Sequence, residues 1–104
     1  MDASYQNGLT ALAGGGQSGA TLISRSITRF TTVATGGDSS ILPAANAGLY
    51  YTVLNAGAAS MNVFPAVGDA INASSANTAF AVANAKSATF FCAVNGFWNA
   101  ILSA

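Results

Sequence analysis

The side chains able to do acid, base or covalent chemistry are few: Asp2, Asp38 and Asp69, Arg25, Arg29 and Lys86, and the single Cys92, with no histidine anywhere in the 104 residues. Without imidazole there is no Ser-His-Asp or Cys-His dyad and no His metal ligand. A lone Cys among Phe90, Phe91 and Val94 has no base to activate it and reads as a small buried hydrophobe. It also excludes an intrachain disulfide and a Cys-based zinc cage. Asp38 follows Gly37 and Asp69 follows Gly68. Asp beside Gly caps turns through its own side chain, so turn capping is preferred over a paired general acid and base. Gly14, Gly16 and Gly19 match G-x-G-x-x-G, but the Ala20-Thr21-Leu22-Ile23 that follows favours extended chain over the helix a dinucleotide site needs. The sequence therefore predicts no catalytic, cofactor or metal site, and no enzyme.

Binding remains. Arg25 and Arg29 are four apart and on one strand would share a face about 13 Å apart, too far to form one clamp. They fit a solvated face, or an ion pair with Asp on a neighbouring subunit. Tyr50, Tyr51, Phe97 and Trp98 could stack sugars, although aromatics in strands more often serve a core or an interface. Three basic residues neutralise few phosphates, so nucleic acid is not an expected partner. Asn72-Ala73-Ser74 is a glycosylation sequon, but Met1-Asp2-Ala3-Ser4-Tyr5 lacks the basic start of a secretory signal. Synthesis in the cytoplasm is the expectation.

The elements that would position these residues are strands. Short β-branched and aromatic runs alternate with turn signals from Thr21 onward. Thr21 to Val33 reads as one run, Ser40 to Leu42 as a short one, and Gly48 to Asn55 as the strongest. Its apolar residues fall on both faces, so cover on both sides is expected. Met61 and Val63 alternate with Asn62 and Phe64. Asn84-Ala85-Lys86 reads as a hairpin tip, and Asn95-Gly96 between two apolar runs is the strongest hairpin signal. No internal sequence repeat is visible. Pro43, Asn46, Gly48, Asn55, Gly57, Asn62 and Pro65 interrupt the uncharged stretch Ser39 to Gly68, so no apolar membrane span exists there.

Together these signals predict an all-β domain over residues 21–104. The expected form is a β-sandwich or small jelly-roll-like barrel of about eight short antiparallel strands. Residues 1–20, with Gly14-Gly15-Gly16-Gln17-Ser18-Gly19, read as an extended, flexible N-terminal arm that orders on a partner.

The charge content supports association. Only 6% of residues are charged, against roughly 25% in an ordinary domain, and the net charge is zero while 52% are hydrophobic. A chain with no net charge lacks the self-repulsion that keeps proteins apart.

One stretch carries a resemblance. Val53 to Asn55, Asn62 to Ala66 (Asn-Val-Phe-Pro-Ala), Gly68-Asp69, Ile71-Asn72, Lys86 to Ala88, Phe90 and Trp98 form an ordered series over about half the chain. The series resembles a pattern in small virion proteins of tailed bacteriophages, head decoration (cement) proteins among them. The resemblance implies a β-rich oligomer, a homotrimer, on the outside of a phage head, made in the host bacterial cytoplasm and binding the major capsid protein. The contact residues expected on that reading are Tyr5, Leu9, Leu12, Arg25, Arg29, Tyr50, Tyr51 and Trp98. The alternative is a tail-fibre or tail-associated module that binds a receptor or glycan.

Overall fold

The structure, a computed structural model, describes residues 4–103. Ten strands fill it, with no helix among the described residues: β1 (Tyr5–Thr10), β2 (Thr21–Leu22), β3 (Ile27–Thr32), β4 (Ser39–Ile41), β5 (Tyr50–Asn55), β6 (Met61–Phe64), β7 (Ala70–Ile71), β8 (Phe80–Val82), β9 (Ser87–Val94) and β10 (Phe97–Leu102). They form a six-stranded sheet, β1-β3-β5-β9-β10-β7, and a four-stranded sheet, β2-β4-β6-β8.

The chain coils. It passes from the larger sheet to the smaller and back, so β1, β3 and β5 lie parallel in one sheet while β2, β4 and β6 lie parallel in the other. Tyr5 sits beside Ile27, and Ile27 beside Thr52; Thr21 sits beside Ser40, and Ser40 beside Val63. Equivalent positions thus recur about every 20 to 25 residues, a solenoid spacing. After three coils the direction reverses. β8 packs antiparallel on β6, β9 antiparallel on β5, and β10 antiparallel on β9.

This is a β-solenoid closed by an antiparallel segment, and it corrects the expected sandwich or barrel of about eight antiparallel strands. The all-β class holds. The period missing from the sequence is present in space, because each coil needs only inward apolar side chains, not the same ones. Two local expectations also change. Thr21 to Val33 is broken by a bend into β2 and β3, and Asn84-Ala85-Lys86 turns a corner between sheets instead of closing a hairpin, since β8 and β9 lie in different sheets. The Asn95-Gly96 hairpin forms as read, with Phe97 opposite Val94.

Residues 5–20 are part of the body, which corrects the flexible arm; Met1, Asp2 and Ala3 lie outside the described residues. β1 pairs along β3, and Leu12 bridges to Ser39. The glycine run that follows is fastened at several points. Gly14 N donates to Asp38 Oδ1 (3.3 Å), Ser39 Oγ donates to Gly16 O (2.7 Å), and Gln17 Nε2 donates to Pro65 O (2.8 Å) and Asn77 Oδ1 (3.1 Å). The glycines serve close approach: a Cβ on Gly15 would lie 2.5 Å from Gly37 O.

The core lies between the sheets. Phe30, Val53, Ala88, Phe90, Cys92 and Trp98 point inward from the larger sheet, and Met61, Val63 and Val82 from the smaller, with Ile23 and Leu42 just past β2 and β4. Met61 and Val63 keep the alternation read from the sequence. Gly57 belongs to this core contact, because a Cβ there would stand 2.5 Å from Val33 N and 2.7 Å from Val33 Cβ. The clash is with backbone, so Gly57→Ala is expected to destabilise by about 2 kcal/mol or more, read as a lower urea midpoint at unchanged slope.

Candidate functional site

In β3, β5, β9 and β10 every second residue leaves the core for the outer face of the larger sheet. The inward row Thr28–Val53–Ala88 is buried, and the next row, Tyr5–Ile27–Thr52–Thr89–Ile101, faces outward across five strands. Beside it runs Tyr50–Phe91–Asn99, and on the other side Asn7–Arg29–Leu54–Ser87. Tyr5 is 73% exposed, Ile101 62% and Tyr50 56%, and Ile27 and Phe97 are also exposed. The cover expected on both sides of β5 is therefore absent from its outer side.

At one margin of this face is a cleft of about 390 Å³ that includes Arg29, Leu54, Asn55, Gly57, Lys86 and Ser87. Asn55 builds it. Its side chain is buried, donating to Ala59 O (2.9 Å) and Val82 O (2.9 Å) and accepting from Gly57 N (2.9 Å). Its backbone amide donates to Lys86 O (2.9 Å), and its carbonyl accepts from Ala85 N (2.9 Å). Arg29 Nη1 donates across the strands to Asn7 Oδ1 (3.0 Å), which steadies the guanidinium.

No family model, no curated protein and no solved structure matches this chain.

The eight contact residues named from the sequence separate. Tyr5, Arg29 and Tyr50 share the outer face. Leu9 is half-buried against the core, and Leu12 is half-buried at its bridge to Ser39. Arg25 is exposed between β2 and β3, not on a strand with Arg29. Trp98 is wholly buried, and Tyr51 is half-buried with its ring edge-on to the indole (5.8 Å between centroids, 62° between planes). A contact role for Trp98 is thereby corrected, and the four-aromatic platform does not assemble: Tyr50 and Phe97 point out while Tyr51 and Trp98 point in.

Asp38 caps its own turn, whereas the Asp69 carboxylate reaches a distant segment of the chain, which corrects its reading as a turn cap. Asp38 accepts from Gly14 N and Thr35 N, and Asp69 Oδ2 accepts from Ala45 N (2.8 Å). Cys92 is buried, its thiol directed to Val94 O. Among the described residues no group of three His, Cys, Asp or Glu could hold a metal ion.

Ile27, Ile101 and the Asn55–Lys86 pair were missed as site residues. The Asn84-Ala85-Lys86 turn was the one available signal for the cleft. The outward direction of Ile27 depends on a pairing that the sequence does not display.

Proposed function

We propose that this protein is a structural virion component, a capsid decoration (cement) protein that lays the outer face of its larger sheet on the major capsid protein at the outside of a phage head. The observation that carries the reading is that face: Tyr5, Ile27, Tyr50, Phe97 and Ile101 exposed on strands of the larger sheet whose only charged residue is Arg29. Such a surface loses little on desolvation and gains about 25 cal/mol per Å² of apolar area covered. The virion setting is taken from the resemblance in Val53–Trp98.

Size argues for assembly as well. Five strands and about five residues of each cover roughly 19 by 17 Å, near 300 Å² of sheet. A stable interface needs about 800 Å² on each partner. One copy bound through this face alone is therefore weak, and a homotrimer that presents three such faces to the shell gains by avidity. With residues 5–10 fixed in the sheet, the arm is not the clamp; β1 contributes by bringing Tyr5 to the face.

Heads lacking the protein are the test. Adding it is expected to raise their disassembly temperature, with binding that persists at high salt because few charges take part. The double variant Ile27→Glu/Ile101→Glu, folded by circular dichroism, should neither bind nor stabilise. An unchanged disassembly temperature with the wild-type protein overturns the reading.

A further inference from the structure

We propose that the cleft between the ends of β3, β5 and β9 is a binding site for an oxyanion (a carboxylate, sulfate or phosphate group on a small ligand), held between Arg29 and Lys86. Two of the chain's three cations line this one cleft, and among the described residues no carboxylate lines it. A neutral chain with three bases has concentrated positive charge at one concave place.

The cleft is built to present those charges. Arg29, Leu54 and Ser87 are cross-strand neighbours, so Arg29 and Ser87 stand about 10 Å apart with Leu54 as an apolar floor between them. That span suits a small oxyacid. Arg29 is steadied by Asn7 through one N–H and keeps its others for a ligand. Lys86 follows Ala85, a non-glycine residue at φ 64°, in the left-handed region that L side chains seldom enter. The bonds from Ala85 N to Asn55 O, from Asn55 N to Lys86 O and from Lys86 N to Ala83 O hold that turn in place. Strain of this kind persists only where the surroundings enforce it, and it gathers at binding sites.

The backbone amides around the cleft are already committed. Ala56 N donates to Phe30 O, Gly57 N to Asn55 Oδ1 and Ser87 N to Ser103 Oγ. Recognition therefore falls to charged side chains, with the Ser87 hydroxyl beside them. Charge-assisted hydrogen bonds from a guanidinium and an ammonium select oxyanions over neutral ligands.

The site is tested by titrating the isotope-labelled protein with sodium sulfate, sodium phosphate and sodium glucuronate, following backbone amides by NMR, with sodium chloride at matched ionic strength and glucose as controls. Saturable shifts are expected at Gly57, Ala85, Lys86 and Ser87 with at least one oxyanion and with neither control. Response to glucuronate alone assigns a carboxylate sugar, and response to sulfate or phosphate assigns a tetrahedral anion. Arg29→Gln and Lys86→Gln should each weaken binding about tenfold or more, whereas Arg25→Gln, outside the cleft, should leave it unchanged. The amide spectrum reports whether each variant is folded. Shifts that grow linearly with all salts, or that survive in folded Arg29→Gln/Lys86→Gln, overturn the proposal.

Discussion

Trp98→Ala is expected to cost about 4 kcal/mol, the range for emptying the place of a large aromatic in a packed core. Domains of this size are stable by roughly 5–15 kcal/mol in all, so the variant gives up a large share of its stability. Trp98 is wholly buried on the inner side of β10, beside Ile71 of β7 and edge-on to Tyr51. Its carbonyl accepts from Asn72 N (2.7 Å), so the segment that packs the indole also joins β7 to the larger sheet. Trp98→Phe should be much milder. The indole Nε1 is buried without a hydrogen-bond partner among the described residues, and Phe removes that N–H along with some volume. Urea titration followed by circular dichroism measures both variants, since each removes the only tryptophan. A loss of under about 2 kcal/mol for Trp98→Ala would mean that the space collapses and that Trp98 is not central to the core.

Asn55→Ala is expected to cost about 3 kcal/mol or more, although the side chain removed is small. The loss comes from what it leaves behind: Ala59 O, Val82 O and Gly57 N all without their partner. Each buried polar group stranded in this way costs about 1–3 kcal/mol. Asn55 sits at the end of β5 in the larger sheet and Val82 lies in β8 of the smaller, so the bond between them ties the two sheets together. Asn55→Asp is expected to do no better, because the carboxylate supplies no donor for the two carbonyls and puts a charge in the interior. Hydrogen exchange gives a local reading: in Asn55→Ala the Gly57 amide should lose protection before the strands of the larger sheet do, whereas Asn55→Asp keeps an oxygen to accept from it. Retained protection at Gly57 in Asn55→Ala would show that the turn holds without Asn55.

The sequence and the structure agree where the information is local. Asn95-Gly96 closes β9 on β10, Met61 and Val63 alternate into the core, and Asp38 caps its own turn through Thr35 N, all signals that need only a few neighbouring residues. The solenoid path is not local. β3 lies beside β1 and β5 because of a pairing that spans a whole coil, and different residues occupy equivalent positions in each, as in Tyr5, Ile27 and Thr52. Gly14 to Gly19 read as flexible because glycine runs usually are, and the contact between Gly15 and Gly37 that uses them is long-range. The faces of β5 and β10 could not be read for a third reason. Tyr50-Tyr51 and Phe97-Trp98 put aromatics at both parities, so period two gives no direction, and Trp98 was placed at an interface when it belongs to the core. The cleft was invisible because it is made by a turn, Ala83 to Lys86, meeting the end of a strand far from it in the chain.

The place of β9 in the larger sheet bears on how the protein is made. The order β1-β3-β5-β9-β10-β7 sets β9 directly against β5, although β6, β7 and β8 are synthesised between them. While the chain emerges from the ribosome, the three parallel coils can stack, but one side of β5 keeps its amides and carbonyls open until Ser87 to Val94 arrives. Open edges of that kind recruit other chains, and contacts so distant in sequence form slowly. Nascent copies made side by side are thus most prone to pair wrongly during that interval, and β9 ends it by occupying the edge itself.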